Sequence, residues 1–218
     1  MLEEIIKIVL YGDSITDMDR IREPNSGVRS YGFGYPFFIA GELFAENPNR
    51  YDIINNGIGG NRVVDLYARI KRDVWNCDPD VLSILIGIND VWHDLKPNGL
   101  ANGVDIETYE KFYRMIIEDT VKRFPDIKII LLEPFYLKGS ATAERYDFFQ
   151  RVKEYAKIVK KLAGDYGLAF VELQNKFDLA AEKFGAEKYL YDGIHPDVAG
   201  AKLIADEWLK TFRNVINK

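Results

Sequence analysis

Five short runs of strand-forming residues, each followed by a longer amphipathic stretch, recur along this 218-residue chain. That alternation restricts the fold more than any other feature. The runs are Ile5 to Tyr11, Tyr51 to Asn55, Val81 to Ile86, Ile127 to Glu133 and Leu168 to Leu173. Each is rich in Ile, Val or Leu and too short for an ordinary helix. Strands covered on both faces read this way, because helices lie on each side of a parallel sheet. The intervening segments predict helices over about Tyr35 to Glu46, Val63 to Trp75, Ile106 to Phe124 and Glu144 to Tyr166. Two more are expected over Asn175 to Phe184 and Asp197 to Val215. In the last, Ala201, Ile204, Ala205, Trp208, Leu209 and Phe212 fall on one apolar stripe, which assigns Trp208 to the core. The expected class is α/β: a three-layer α/β/α sandwich around a flavodoxin-like, five-stranded parallel sheet. The length suits a single domain over 1–218.

Composition narrows the function. Hydrophobic residues make up 47% and charged residues 29%, with a net charge of -5. A nucleic-acid binder needs a clustered basic face, and the balance here is acidic. The basic runs Arg69 to Arg72 and Lys157 to Lys161 fall on predicted helices with acidic neighbours and read as solvated faces. Cys77 is the sole cysteine, so no intrachain disulfide forms, and it reads as a small buried residue. The start, Met1-Leu2-Glu3-Glu4, is acidic and lacks a signal-peptide pattern. No stretch approaches the roughly 20 apolar residues of a membrane span. These features lead to the expectation of a cytoplasmic protein without nucleic-acid or membrane partners.

In a sheet of this kind, ligands bind beyond the carboxyl ends of the strands. Four motifs lie at such positions. Gly12-Asp13-Ser14-Ile15-Thr16-Asp17 follows the first strand, and Gly12 allows a sharp backbone turn. Ser14 then stands at the lip of the sheet, as a nucleophile or as a helix cap. Asn55-Asn56-Gly57-Ile58-Gly59-Gly60-Asn61-Arg62 follows the second strand, with Gly60 placed to offer an N–H at a helix start. It lacks the Lys-Ser/Thr ending of a phosphate loop. Gly87-Ile88-Asn89-Asp90 follows the third strand, and the Asn89 amide suits either an oxyanion donor or a turn. Asp192-Gly193-Ile194-His195-Pro196 precedes the last helix. An Asp and a His three apart can meet in a turn, with His195 Nδ1 on the carboxylate and Nε2 free to take a proton. Nucleophile, donors and base thus converge on one sheet edge.

Together these motifs resemble those of the SGNH hydrolases, a branch of the GDSL esterase and lipase family. The blocks around Ser14, Gly60, Gly87 to Asn89 and Asp192 to His195 occur in the family's order over the whole chain. Ile15 stands where the namesake motif has Leu, and the apolar character is kept. The resemblance implies Ser14 as nucleophile, His195 as general base and Asp192 as its orienting partner. It also implies an oxyanion hole from the Ser14 and Gly60 N–H groups and the Asn89 side chain. A closer similarity is to bacterial carbohydrate acetylesterases. It is carried by Gly12 to Asp17, Gly87 to Trp92, Pro134-Phe135-Tyr136 and His195 to Gly200.

The resemblance implies a small acylated substrate, above all an acetylated sugar such as a xylooligosaccharide acetate, and a homo-oligomer. Another activity of the same family, as a thioesterase, lysophospholipase or broad carboxylesterase, is the alternative. A silent sugar-binding protein is a third. Trp92, Phe135, Tyr136 and Tyr191 lie near the motifs and offer aromatic faces for a sugar or for the core. Asp13, Trp92 and Tyr191 are assigned to substrate contact. Asp17, Arg20 and Arg22 open a glycine-containing segment expected to be an irregular, solvated loop. No cofactor is implied. Asp90, His93 and Asp94 lie close in sequence, but their spacing is not a metal-ligand set.

Overall fold

A computed structural model describes residues 5–23, 26–96 and 99–216. The strands are β1 (Ile6–Gly12), β2 (Tyr51–Gly57), β3 (Val81–Leu85), β4 (Lys128–Leu132) and β5 (Ala169–Val171). All neighbouring pairs are parallel, in the order β2-β1-β3-β4-β5. This is the doubly wound order expected from the alternation, with its switch point between β1 and β3. β5 is shorter than the apolar run Leu168 to Leu173, because only its central residues pair with β4 at the sheet's edge.

The helices are α1 (Ser14–Asp17), α2 (Tyr35–Glu46), α3 (Val63–Asp73), α4 (Ile88–Trp92), α5 (Ile106–Arg123), α6 (Tyr146–Phe149), α7 (Val152–Tyr166), α8 (Gln174–Phe184) and α9 (Val198–Ile216). α2 packs on α9, whereas α3 packs on α5 and α5 on α7. The helix expected over Glu144 to Tyr166 is split. The chain turns at Gln150 and Arg151, whose side chains are held by Tyr136 (2.9 Å) and Asp94 (3.1 Å).

The core explains the pattern. Ile8, Val9, Leu10 and Tyr11 of β1 have no exposed surface, and the same holds for Leu82 and Ile84 of β3. Covering both faces removes apolar surface from water on each side of the strand. Trp208 is fully buried, stacks on Phe212, and satisfies its indole N–H on Ser83 Oγ at 2.8 Å. Phe135 and Tyr136 belong to this core as well. Both are buried, Phe135 packs on Phe177, and Tyr136 stacks on Phe149. They therefore do not wall a substrate site. Cys77 is free and half-buried rather than buried. Among the described residues, no helix is long and apolar enough to cross a membrane.

Candidate active site

The first motif leaves the end of β1 in a tight turn. A side chain at Gly12 would strike Thr16 Oγ1 and the Leu85 carbonyl, so this position needs the absence of a Cβ rather than an unusual φ. Gly57 is constrained in the same way by the backbone of Thr16 and Asp17. Asp13, not Ser14, is the N-cap of α1: its Oδ1 accepts from Ile15 N at 2.9 Å. With the cap supplied by its neighbour, the Ser14 hydroxyl is free for another partner. Asn55 braces the far side of the turn, donating to Thr16 O at 2.7 Å and Tyr31 O at 2.9 Å.

The partner of Ser14 lies 181 residues away: Oγ is 2.9 Å from His195 Nε2. His195 Nδ1 is 2.7 Å from Asp192 Oδ2. Asp192 Oδ1 accepts from Ile194 N at 2.8 Å and from His195 N at 2.7 Å. The network assigns the imidazole proton to Nδ1, leaving Nε2 to accept from the hydroxyl. A short bridge between Leu190 and Pro196 closes this loop, and Tyr191 N donates to His195 O at 3.1 Å. Leu137 N and Ala141 N donate to the carbonyls of Gly193 and Asp192, which fastens the loop to the segment after β4.

Electrostatics follow from this geometry. Burial opposes charge on His195, but the Asp192 hydrogen bond and charge prevail and raise its pKa above the ordinary value. Burial likewise opposes charge on Asp192, and the bonds from His195 and Ile194 overcome it, holding the carboxyl below the usual range. Asp13 behaves oppositely. It is 1% exposed, and burial lifts it to about 7 despite the Ile15 N–H and the nearby imidazole. Its carboxylate is therefore an internal cap and not the substrate contact expected from the sequence. Asp90 is also sealed in. It accepts from Val63 N at 3.0 Å, and burial pushes it up to about 8.

The second and third motifs complete the edge. Gly60 has φ of 79° and lies in the turn before α3, whose N-cap is Arg62. It is thus not at the helix start, as its sequence position suggested. Gly87, with φ of 141°, caps the short α4 that carries Asn89. The Asn89 amide donates one hydrogen to Asn61 O at 3.1 Å, so its second hydrogen is available. Among the described residues, the Ser14 and Gly60 N–H groups have no acceptor.

Ser14, Gly60, Asn89, Trp92, His93, Leu95, Lys96 and His195 line one open cleft of about 430 Å³. Trp92 is half-buried, packs edge-on against Phe149, and has its ring centre 6.1 Å from that of His195. Tyr191 is 55% exposed and stacks on His195 with ring centres 5.8 Å apart. His93, Leu95 and Lys96 escaped the sequence reading as wall residues. The signal was their position on the turn that continues directly from α4. The segment after Ser14 is irregular, as its glycines suggested, and two of its charged side chains are tied to neighbours. Arg20 donates to Gly57 O at 3.0 Å, and Arg22 pairs with Asp17 at 2.6 Å. Pro24 and Asn25 of that segment lie outside the described residues.

Among the described residues, no group of three or more His, Cys, Asp or Glu is placed to hold a metal. Asp94 is engaged by Arg151 at 3.1 Å. A second cleft of about 490 Å³ lies where β1, β3 and β4 begin, lined by Ile5, Asp78, Arg123, Asp126 and Ile216 among others. Its lining residues include neither a histidine nor a hydroxyl nucleophile.

Residues 10–203 match the GDSL-like Lipase/Acylhydrolase family model. The chain belongs to this family. An acetylxylan esterase of Geobacillus stearothermophilus is 35% identical over 209 residues, covering 94% of this chain and 92% of that protein. A crystal structure of an acetylxylan esterase from Geobacillus stearothermophilus aligns at 33% identity with a TM-score of 0.84, over 96% of this chain and 95% of its own. A crystal structure from Parabacteroides merdae, described as a GDSL-like lipase, aligns at 36% identity and a TM-score of 0.89. It covers 97% of both chains. An α/β hydrolase from a Lake Arreo metagenome aligns at 30% identity and 0.85, covering 98% of this chain and 97% of its own. As a GDSL-family member of this ancestry, the protein is a carboxylic ester hydrolase.

Proposed function

We propose that this esterase removes O-acetyl groups from carbohydrates through an acyl-enzyme on Ser14. The observation that carries the mechanism is the unbroken relay from Ser14 Oγ to His195 Nε2 (2.9 Å) and from His195 Nδ1 to Asp192 (2.7 Å). Ser14 Oγ attacks the ester carbonyl as His195 Nε2 takes the hydroxyl proton. The carbonyl oxygen becomes an oxyanion, held by the Ser14 N–H, the Gly60 N–H and the second amide hydrogen of Asn89. Such donors act where charge develops and need no reorganisation. Collapse expels the sugar alkoxide, which collects the proton from His195. Water then attacks the acyl-serine while His195 again accepts a proton, and the acid departs with Ser14 restored. No step calls for a metal or an organic cofactor.

Support for the acetyl-carbohydrate assignment comes from the acetylxylan esterase relative, which covers nearly the whole chain. Crystal structures of catalytic mutants of an acetylxylan esterase from Geobacillus stearothermophilus replace an aspartate, a serine and a histidine. The cleft agrees with a polar, ring-bearing leaving group: the Trp92 face lies beside the base and can pack on the apolar C–H surface of a sugar.

The test is acetate release from acetylated xylooligosaccharides, with Ser14→Ala as control. Wild-type release is expected, and the variant should lose on the order of a millionfold in kcat while remaining folded. Hydrolysis of aryl acetates with no action on acetylated sugars would keep the mechanism and overturn the substrate. Equal rates for the two proteins would overturn both.

A further inference from the structure

We propose that Arg69 is the positioning residue of the oxyanion hole, an inference that rests on the roles assigned above to Ser14, Gly60 and Asn89. The basic run from Arg69 to Arg72 reads as a solvated helix face, but its first member departs from that. The Arg69 side chain is only 10% exposed. Its guanidinium points from α3 toward the C-terminal edge of the sheet. Nη2 donates to Gly12 O at 2.9 Å, two residues before the nucleophile. Nη1 donates to Asn56 O at 2.9 Å, and Nε to Asn61 Oδ1 at 2.7 Å. Nη1 also pairs with Asp73 at 2.6 Å. The plane lies over the Tyr11 ring at 4.3 Å, and that ring is fixed by its hydroxyl on Leu66 O at 2.6 Å.

One rigid fork therefore grips the nucleophile turn and both flanks of the Gly60 loop. The third donor is tied in as well, since Asn61 O accepts the first Asn89 amide hydrogen at 3.1 Å. The three oxyanion donors sit on three separate segments, α1 after β1, the loop after β2 and α4 after β3. Beyond the last paired residues, Gly12 with Gly57 and Gly12 with Leu85, the loops after β1 and β2 are joined by Ile58 N to Gly12 O (3.1 Å) and Gly59 N to Asp17 Oδ2 (3.3 Å). Arg69 adds a planar fork that holds Gly12, Asn56 and Asn61 at once. A lysine cannot do so, because a single ammonium on a flexible stem lacks the planar fork that meets several acceptors at once. Donor placement matters steeply: about an ångström of error costs up to roughly 100-fold in rate.

The experiment is a double-mutant cycle on a soluble acetyl ester. Arg69→Lys keeps a positive charge opposite Asp73, and Asn61→Ala removes the Oδ1 that accepts from Arg69 Nε while leaving that ion pair and the backbone carbonyl that holds Asn89. Arg69→Lys is expected to lower kcat roughly 10- to 100-fold, with KM little changed and a native-like melting transition. Asn61→Ala should move kcat in the same direction. Asn89→Ala alone should cost about 100- to 1,000-fold. In the Asn89→Ala background, the Arg69→Lys loss should shrink, because the part of it that runs through Asn61 and Asn89 is already gone. A folded Arg69→Lys enzyme with unchanged kcat would overturn the inference, as would losses that simply multiply. Full turnover by Asn89→Ala would instead sink the oxyanion assignment, and the role of Arg69 with it.

Discussion

The turn at the end of β1 and the loop between Leu190 and Pro196 each bring an aspartate to the Ser14–His195 pair, and the two carboxylates end in opposite states. Asp192 has both oxygens engaged, one by two backbone N–H groups and the other by the imidazole. It stays ionised below the usual range and lends its charge to the base. Asp13 has one oxygen on one N–H, and its other oxygen is buried without a partner among the described residues. Burial then outweighs its single donor and carries it to about 7. Residue type is the same in both places. The number of donors aimed at each carboxylate decides which one serves as a fixed anion near neutral pH.

Exchanging each carboxylate for an amide would break or sharpen this contrast. Asp192→Asn carries the largest expected effect. An amide there favours the wrong imidazole tautomer, and kcat should fall about 10,000-fold with the fold retained. A loss below tenfold, measured on a purified, folded variant, would remove Asp192 from the relay.

The pH profile comes next. His195 must be neutral to accept the Ser14 proton, so kcat/KM should rise with pH. Its pKa is raised by Asp192, which puts the midpoint above the ordinary histidine value of about 6.5. A midpoint below that value, with chemistry limiting, would contradict the assigned relay.

Asp13→Asn is the smallest and most selective change. Asn retains an oxygen to cap Ile15 N, so the turn should survive. The folded pKa of Asp13 lies above the ordinary aspartate value of 3.8, and the folded state therefore holds a proton that the unfolded state has lost. Stability from this group falls as pH rises from about 4 and is fully lost above about 7. The shift corresponds to about 4 kcal/mol as an upper bound. Thermal melts should show a flatter pH dependence over that window for Asp13→Asn. The negative charge of Asp13 also raises the His195 pKa, so the activity midpoint should move to lower pH. Coincident wild-type and variant curves in both assays would mean that Asp13 does not titrate as described.

The same contrast marks how far the sequence could be read. Alternating buried runs specify a doubly wound sheet because strands covered on both faces have few other residue choices, and the motif order locates its active edge. Ser14, His195 and Asp192 were legible because each follows or flanks a break in that alternation. Phe135 and Tyr136 stayed open between cleft and core, because an aromatic residue after a strand looks the same whether it faces one or the other. Asp13 misled for a related reason: adjacency to a nucleophile does not reveal which way a side chain points out of a turn. Arg69 was misread because a basic run on a helix carries no sign of which member turns inward.

By itself, then, the sequence determined the class of fold, the sheet edge at which Ser14, Asn89 and His195 gather and the residue types present there. Those depend on local pattern and on the period of burial. Tertiary structure alone decided which donors reach each carboxylate, that one guanidinium spans the loops after β1 and β2, and that His93, Leu95 and Lys96 wall the cleft. Such facts rest on distances between segments far apart in the chain, and a hydrogen bond is decided by tenths of an ångström that no one-dimensional pattern encodes.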